Sequence, residues 1–200
     1  MSFQSQFSAQ SFANFTLKMY RQLRKLSIKT LRPLRLNLHS IRKFKIKIKN
    51  MTTLKAGDKA PNFSGTDQDG KTHKLADYAG KKLVVFFYPK ASTPGCTAEA
   101  CDLRDNFERF KANNYELLGV SADSAKAQLK FKDKYEFPFP LLADEDKSVI
   151  NAFGVWGPKK FMGKEYDGIH RTTFVIDENG IIDEVISQVK TKEHAAQILK

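Results

Sequence analysis

The longest unbroken apolar run of the chain is Leu83-Val-Val-Phe-Phe-Tyr88. A run of that length, closed by turn-forming residues, predicts a strand covered on both faces. After it, Ala100, Leu103, Phe107 and Phe110 recur three or four positions apart among charges, which predicts an amphipathic helix over 97–111. Tyr115–Ser121 reads as a second strand, and Ser124 is placed to cap a helix running to Tyr135. The prolines of Phe137-Pro-Phe-Pro-Leu-Leu142 restrict that segment to a short or edge strand. Residues 146–153 predict a short helix stopped at Gly154. Upstream, Asp67-Gln-Asp-Gly70 signals a tight turn and an N-terminal hairpin. Downstream, Asn179-Gly180 joins strands 172–176 and 181–185, and 192–199 closes the chain as a helix. Strands alternating with helices, followed by a hairpin and a last helix, predict an α/β sandwich with a mixed sheet.

Composition divides the chain. Residues 1–50 hold twelve Lys and Arg and no Asp or Glu, which accounts for the whole net charge of +12. The remaining 150 residues carry as many acidic as basic groups and predict one domain without a nucleic-acid face. Within the extension, residues 17–26 fit a basic amphipathic helix, and the lysine alternation at 43–49 fits a strand better than a helix. Three readings stay open for 1–50: an upstream extension with Met51 as the real start, a cleaved or disordered targeting segment, or a tail for membrane or nucleic acid. A cytoplasmic location is expected, with an organelle as the alternative if 1–50 is a transit peptide. No apolar run approaches the roughly 20 residues that cross a bilayer.

The candidate chemistry follows the first strand directly, in Pro89-Lys-Ala-Ser-Thr93-Pro-Gly-Cys96-Thr-Ala-Glu99-Ala-Cys101. A cysteine beside an apolar strand can be a small core residue. Cys96 instead opens a helix, where the dipole and free N–H groups favour the nucleophilic thiolate. Cys101 is five residues on. In an intact helix that spacing separates Cα atoms by about 8.7 Å, more than the roughly 7 Å a disulfide tolerates. The pair can bond only if the first turns unwind. Cys-x4-Cys has no second ligand pair for zinc, and His39, His73, His170 and His194 are scattered singly. Each histidine is expected at the surface. Thr93 stands where a Cys-x-x-Cys oxidoreductase has its first cysteine, and its hydroxyl cannot form a disulfide but can hydrogen-bond a substrate oxygen or the thiolate.

Pro89-x-x-x-Thr93-x-x-Cys96 matches the peroxiredoxin active-site pattern, and the run on to Cys101 resembles the atypical two-cysteine peroxiredoxin Q, or bacterioferritin-comigratory-protein, subfamily. Gly57-Asp-Lys-Ala-Pro61-x-Phe63, Gly154-Val-Trp-Gly157 and Gly168-Ile-His-Arg171-Thr-Thr-Phe-Val-Ile-Asp177 extend the resemblance over nearly all of 51–200. It implies a thioredoxin-like fold and a thiol peroxidase needing no metal, haem or flavin. By position Cys96 resembles the peroxidatic cysteine and Cys101 the resolving one, joined as a disulfide in the cycle. Thr93 and Arg171 then polarise the peroxide, and Pro89 shields the sulfur. Glu99 also matches, either with a role at the site or as a helix-surface carboxylate. The resemblance further implies peroxide substrates, thioredoxin or a similar dithiol as reductant, and a monomer, with a dimer as the alternative. Two rivals remain, a thiol–disulfide oxidoreductase of the same fold and a binding protein whose cysteines are incidental.

Overall fold

The computed structural model describes residues 52–161 and 163–200, apart from the side chain of Phe161. The expectations for 1–50 lie outside the described residues. A hairpin of β1 (Ser64–Thr66) and β2 (Thr72–Lys74) comes first, then a single 3-10 turn at Leu75–Tyr78. The core sheet is built from β3 (Lys82–Phe87), β4 (Tyr115–Ser121), β5 (Leu141–Ala143), β8 (Thr172–Ile176) and β9 (Ile182–Ile186). Their order is β5-β4-β3-β8-β9, with β3, β4 and β5 parallel and β8 and β9 antiparallel to their neighbours. Helices α1 (Pro94–Asp105), α2 (Phe107–Ala112), α3 (Ala125–Tyr135), α4 (Ser148–Ala152) and α5 (His194–Ile198) surround it.

The alternation along β3 explains its unbroken apolar character. Leu83, Val85 and Phe87 join a core with Phe63, Val149, Ile150, Phe153 and Phe174. Val84, Phe86 and Tyr88 point the other way, into a core with Ala100, Leu103, Phe110, Phe131 and Ile198 from α1, α2, α3 and α5. A strand buried on both faces has no polar side to display. Its end is thus held firmly where it delivers the chain to Pro89.

Gly119 of β4 shows how closely that second core is filled. A Cβ there would lie 2.6 Å from Leu141 Cδ2 and 2.8 Å from Phe86 Cζ. Gly119→Ala is expected to destabilise the protein by about 1–3 kcal/mol, because both contacts are internal side chains. A urea unfolding curve with an unchanged midpoint would refute this.

Two expectations are corrected and one element is added. The helix over 97–111 is two helices, because Asn106 turns its side-chain amide back to donate to the Asp102 carbonyl at 2.9 Å. This side-chain-to-backbone bond competes with continued helix. A further hairpin, β6 (Trp156–Phe161) and β7 (Lys164–Ile169), fills the stretch left unassigned before β8. Its β7 strand is exposed over its first four residues, so no apolar alternation marks it. Lastly, His73 and His194 are buried rather than superficial. His73 sits between the Asp67 carboxylate at 2.8 Å and the Tyr78 hydroxyl at 2.9 Å, tying the first hairpin to the turn behind it.

Candidate active site

The chain leaves β3 through a loop that is fixed from beneath. The Ala91 amide donates to Asp123 Oδ2 at 2.7 Å, and the Ser121 hydroxyl donates to the same oxygen at 2.7 Å. Gln128 Nε2 donates to Ser121 Oγ at 2.8 Å and to the Leu142 carbonyl at 2.9 Å, while Tyr88 donates its hydroxyl to Gln128 Oε1. Burial pushes the Tyr88 phenol far above its ordinary range, so it stays a donor. Satisfied buried networks of this kind rigidify what they hold. Here they hold Ser92, a non-glycine residue at φ +60°, a sparsely populated conformation kept only where surroundings enforce it.

Thr93 is the N-cap of α1, with Pro94 at the first helical position. The Thr97 amide makes the first helical bond, to the Thr93 carbonyl at 2.8 Å. Cys96 therefore lies in the first turn, among amides that have no partner within the helix. Its side chain is 2% exposed. Glu99 is one turn further on the same face. Cys101 is rotated by roughly 140° from Cys96 about the helix axis and is half-buried with a free thiol, as Cys96 is also free.

Arg171, immediately before β8, joins the Cys96 and Glu99 side chains. Its Nη2 donates to Cys96 Sγ at 3.1 Å, and its Nη1 donates to Glu99 Oε2. A guanidinium remains charged at every working pH and so stabilises a thiolate across the range. Burial works against its charge, but the neighbouring Glu99 and Cys96 hold the Arg171 pKa above its usual value. Burial and the Arg171 charge press the Lys159 ammonium down, and Lys159 donates to the Ile169 carbonyl at 2.9 Å. Lys159, His170, Arg171, Thr172 and Ser187 line a cleft of about 450 Å³.

The site thus gathers Cys96, Glu99 and Arg171, and places Cys101 on the same helix. The Thr93 hydroxyl donates to the Lys90 carbonyl at 2.9 Å, which leaves its lone pairs as acceptors. Pro89 is exposed where β3 ends. Cys96 belongs to the apolar core that contains Tyr88 and Ala100, with Ala91 packed against it. Sequence reasoning placed His194 at the surface and gave it no part in the site, whereas it is fully buried. Its place beside Ala195 and one turn before Ile198 on the inner side of α5 was the available signal.

Residues 56–185 match the model of the AhpC/TSA family. The chain belongs to that family. It is 50% identical to peroxiredoxin Bcp of Escherichia coli K12 over 149 residues, covering 74% of this chain and 96% of that protein. Identity to peroxiredoxin Bcp of Bacillus subtilis is 47%, over 74% of this chain and 94% of that one. Among solved structures, Xanthomonas campestris bacterioferritin comigratory protein superposes with a TM-score of 0.67 at 36% identity, over 70% of this chain and 88% of the other. A mutant of Xylella fastidiosa PrxQ gives 0.70 at 34% identity, over 74% and 94%. The fold of this peroxiredoxin is accordingly thioredoxin-like, and the chain is a peroxidase-type oxidoreductase. Among the described residues no helix is long and apolar enough to cross a membrane.

Proposed function

We propose that this peroxiredoxin reduces hydrogen peroxide and organic hydroperoxides through a Cys96 sulfenic acid and a transient Cys96–Cys101 disulfide, recycled by thioredoxin or a similar dithiol. The observation that carries the reading is the Arg171 guanidinium 3.1 Å from Cys96 Sγ at the first turn of a helix. The relative from Xanthomonas campestris is described for alkyl peroxide reduction, which supports the organic substrates. The cleft beside Arg171 has room for the body of such a molecule.

The thiolate sulfur attacks the nearer peroxide oxygen, the O–O bond breaks, and water or an alcohol leaves after taking a proton. The Thr93 hydroxyl, whose own proton is committed to Lys90, accepts from the peroxide O–H. Arg171 steadies the charge moving from sulfur to the departing oxygen. Cys101 then attacks the sulfenic sulfur and water is lost, giving the disulfide. Burial raises the Cys101 pKa in the folded helix, so its thiol stays protonated and quiet there. Unwinding of α1 both closes the distance and returns Cys101 to water, where it ionises more readily. An external dithiol reduces the disulfide by exchange.

Mass spectrometry with one equivalent of peroxide tests the sequence of steps. The wild-type chain is expected to lose two hydrogens as the disulfide forms. Cys101→Ser should instead gain one oxygen at Cys96 and then stop, with steady-state turnover on thioredoxin falling to background. Absence of the added oxygen in Cys101→Ser, or sustained turnover by it, would overturn the assignment. An insulin-reduction assay distinguishes the oxidoreductase alternative, against which Thr93 in place of a cysteine argues.

A further inference from the structure

Glu99 is fully enclosed, yet only half of its carboxyl group is accounted for. Oε2 accepts from Arg171, whereas Oε1 has no hydrogen-bond partner among the described residues. His194 Nε2 stands 3.8 Å from it on α5 and is equally enclosed. A buried carboxylate with an unmatched oxygen is costly, and it relieves that cost by holding a proton or facing one.

The hydrogen bonds around His194 specify which. Gln197 Oε1 accepts from the Lys190 amide at 2.7 Å, and Gln197 Nε2 donates to the Gln188 carbonyl at 3.1 Å, which fixes the orientation of that amide. His194 Nδ1, 3.1 Å from the same oxygen, must therefore be the protonated nitrogen. Nε2 in the neutral ring then accepts from the Thr173 hydroxyl at 2.8 Å. The neutral ring satisfies every contact. Burial lowers the His194 pKa further, and Arg171 acts in the same direction, while the Gln197 bond and Asp102 on α1 oppose them. Burial also lifts the Glu99 carboxyl to about 7 against the pull of Arg171.

We propose that Glu99 and His194 form a proton-holding positioning pair for Cys96: with one proton between them Arg171 is left to the thiolate, and without it Glu99 becomes the thiolate's rival for the same guanidinium. The charges facing one another are Arg171 before β8, Lys159 on β6, Cys96, Glu99 and Asp102 on α1, and His194 on α5. With Cys96 as thiolate and one proton on the pair, the cluster of Cys96, Arg171, Glu99 and His194 is neutral. Loss of that proton sets two anions on one buried cation. Once Cys96 has become a neutral sulfenic acid, Arg171 lacks a counter-charge and Glu99 takes that place. The balance is thiolate plus hydroperoxide plus the Glu99 acid giving sulfenic acid, alcohol and the Glu99 carboxylate, with the proton exchanged through solvent. His194 never touches the peroxide and acts through Glu99.

The inference rests on Cys96 being the attacking residue, but its test reads ionisation rather than turnover. The Cys96 thiolate of the full-length reduced protein is titrated by its rate of alkylation with iodoacetamide, with Cys101 alkylation resolved by mass spectrometry. Glu99→Gln imitates the protonated acid and should lower the Cys96 midpoint, with the thiolate-to-thiol ratio at the wild-type midpoint rising from one to at least three. His194→Gln should raise the midpoint, with the same ratio falling to about one third. There Thr173 donates to the new carbonyl oxygen, and the amide N–H faces Glu99 and favours its carboxylate. In the Glu99→Gln background the His194→Gln change should have no further effect. Thr173→Val, which frees Nε2 for the Glu99 proton, should shift the midpoint the same way as Glu99→Gln and serves if His194→Gln fails to fold. Shifts of the same sign in Glu99→Gln and His194→Gln, an upward shift in Thr173→Val, or a His194 effect that survives without Glu99 would each overturn the pair. If peroxide failed to oxidise Cys96 while these shifts appeared, the peroxidase reading would fall and the pair would stand.

Discussion

Replacing Cys96 with serine is expected to reduce peroxide turnover to the uncatalysed background, a loss of at least about 10³-fold. The reason is chemical rather than structural. A serine hydroxyl is not ionised at neutral pH, and its oxygen cannot accept the peroxide oxygen as sulfur does. The fold should tolerate the change, because the two side chains differ little in size and Arg171 Nη2 can donate to the new oxygen as it does to Sγ. Circular dichroism and the melting temperature should therefore stay close to wild type while activity disappears. Residual steady-state peroxidase activity above background in a folded Cys96→Ser protein would move the nucleophile elsewhere, and Cys101 would then be the other cysteine to test.

Arg171→Met should produce the second largest loss, and it should appear in two measurements. Removing the group that both stabilises the thiolate and steadies the leaving oxygen is expected to slow Cys96 oxidation by about 10²–10³-fold, the range seen when a preorganised charge donor is deleted. The same change strands Glu99, which is fully buried and has Arg171 as its only charged hydrogen-bond partner among the described residues. Breaking such a pair by removing one member costs about 3–5 kcal/mol when the remaining charge is forced to persist. Glu99 escapes part of that penalty by staying protonated, so the cost depends on pH. In the wild-type fold its pKa is already raised to about 7. A raised acid contributes stability that is present below its unfolded pKa and is lost as pH climbs to the folded one, here from about 4.5 to about 7, on the order of 3 kcal/mol. Without Arg171 the folded pKa rises further and the loss continues above pH 7. Chemical denaturation at pH 6 and pH 8 should then show a larger deficit for Arg171→Met at pH 8. An equal deficit at both values would show that Glu99 is not the source.

Much of this architecture was readable before any coordinates because each signal had a local cause. The run 83–88 is apolar because β3 is covered on both sides, and Asn179-Gly180 makes the expected turn, with Gly180 at φ +79°. Ser124 caps α3 by accepting from the Ala127 amide, as its position suggested. The gaps arose where the deciding contact is remote or the pattern is faint. The break at Asn106 depends on one side-chain amide, and the apolar spacing runs straight through it. The β6–β7 hairpin buries too little to leave a periodic trace. At the site, the neighbourhood of Cys96, Glu99 and Cys101 follows from sitting on one helix. The roles that depend on Arg171 and His194, 75 and 98 positions beyond Cys96, required either the family resemblance or the folded chain. A histidine six residues before the final lysine carries no sequence mark of standing behind a carboxylate on α1.

Asp102 follows Cys101 directly, and its Oδ2 accepts from the Ala195 amide at 2.7 Å, so a residue of α1 caps the first turn of α5. Whatever draws Cys101 out of helical register takes that cap with it. Opening of α1 at Cys101 would therefore loosen the first turn of α5, far along the chain.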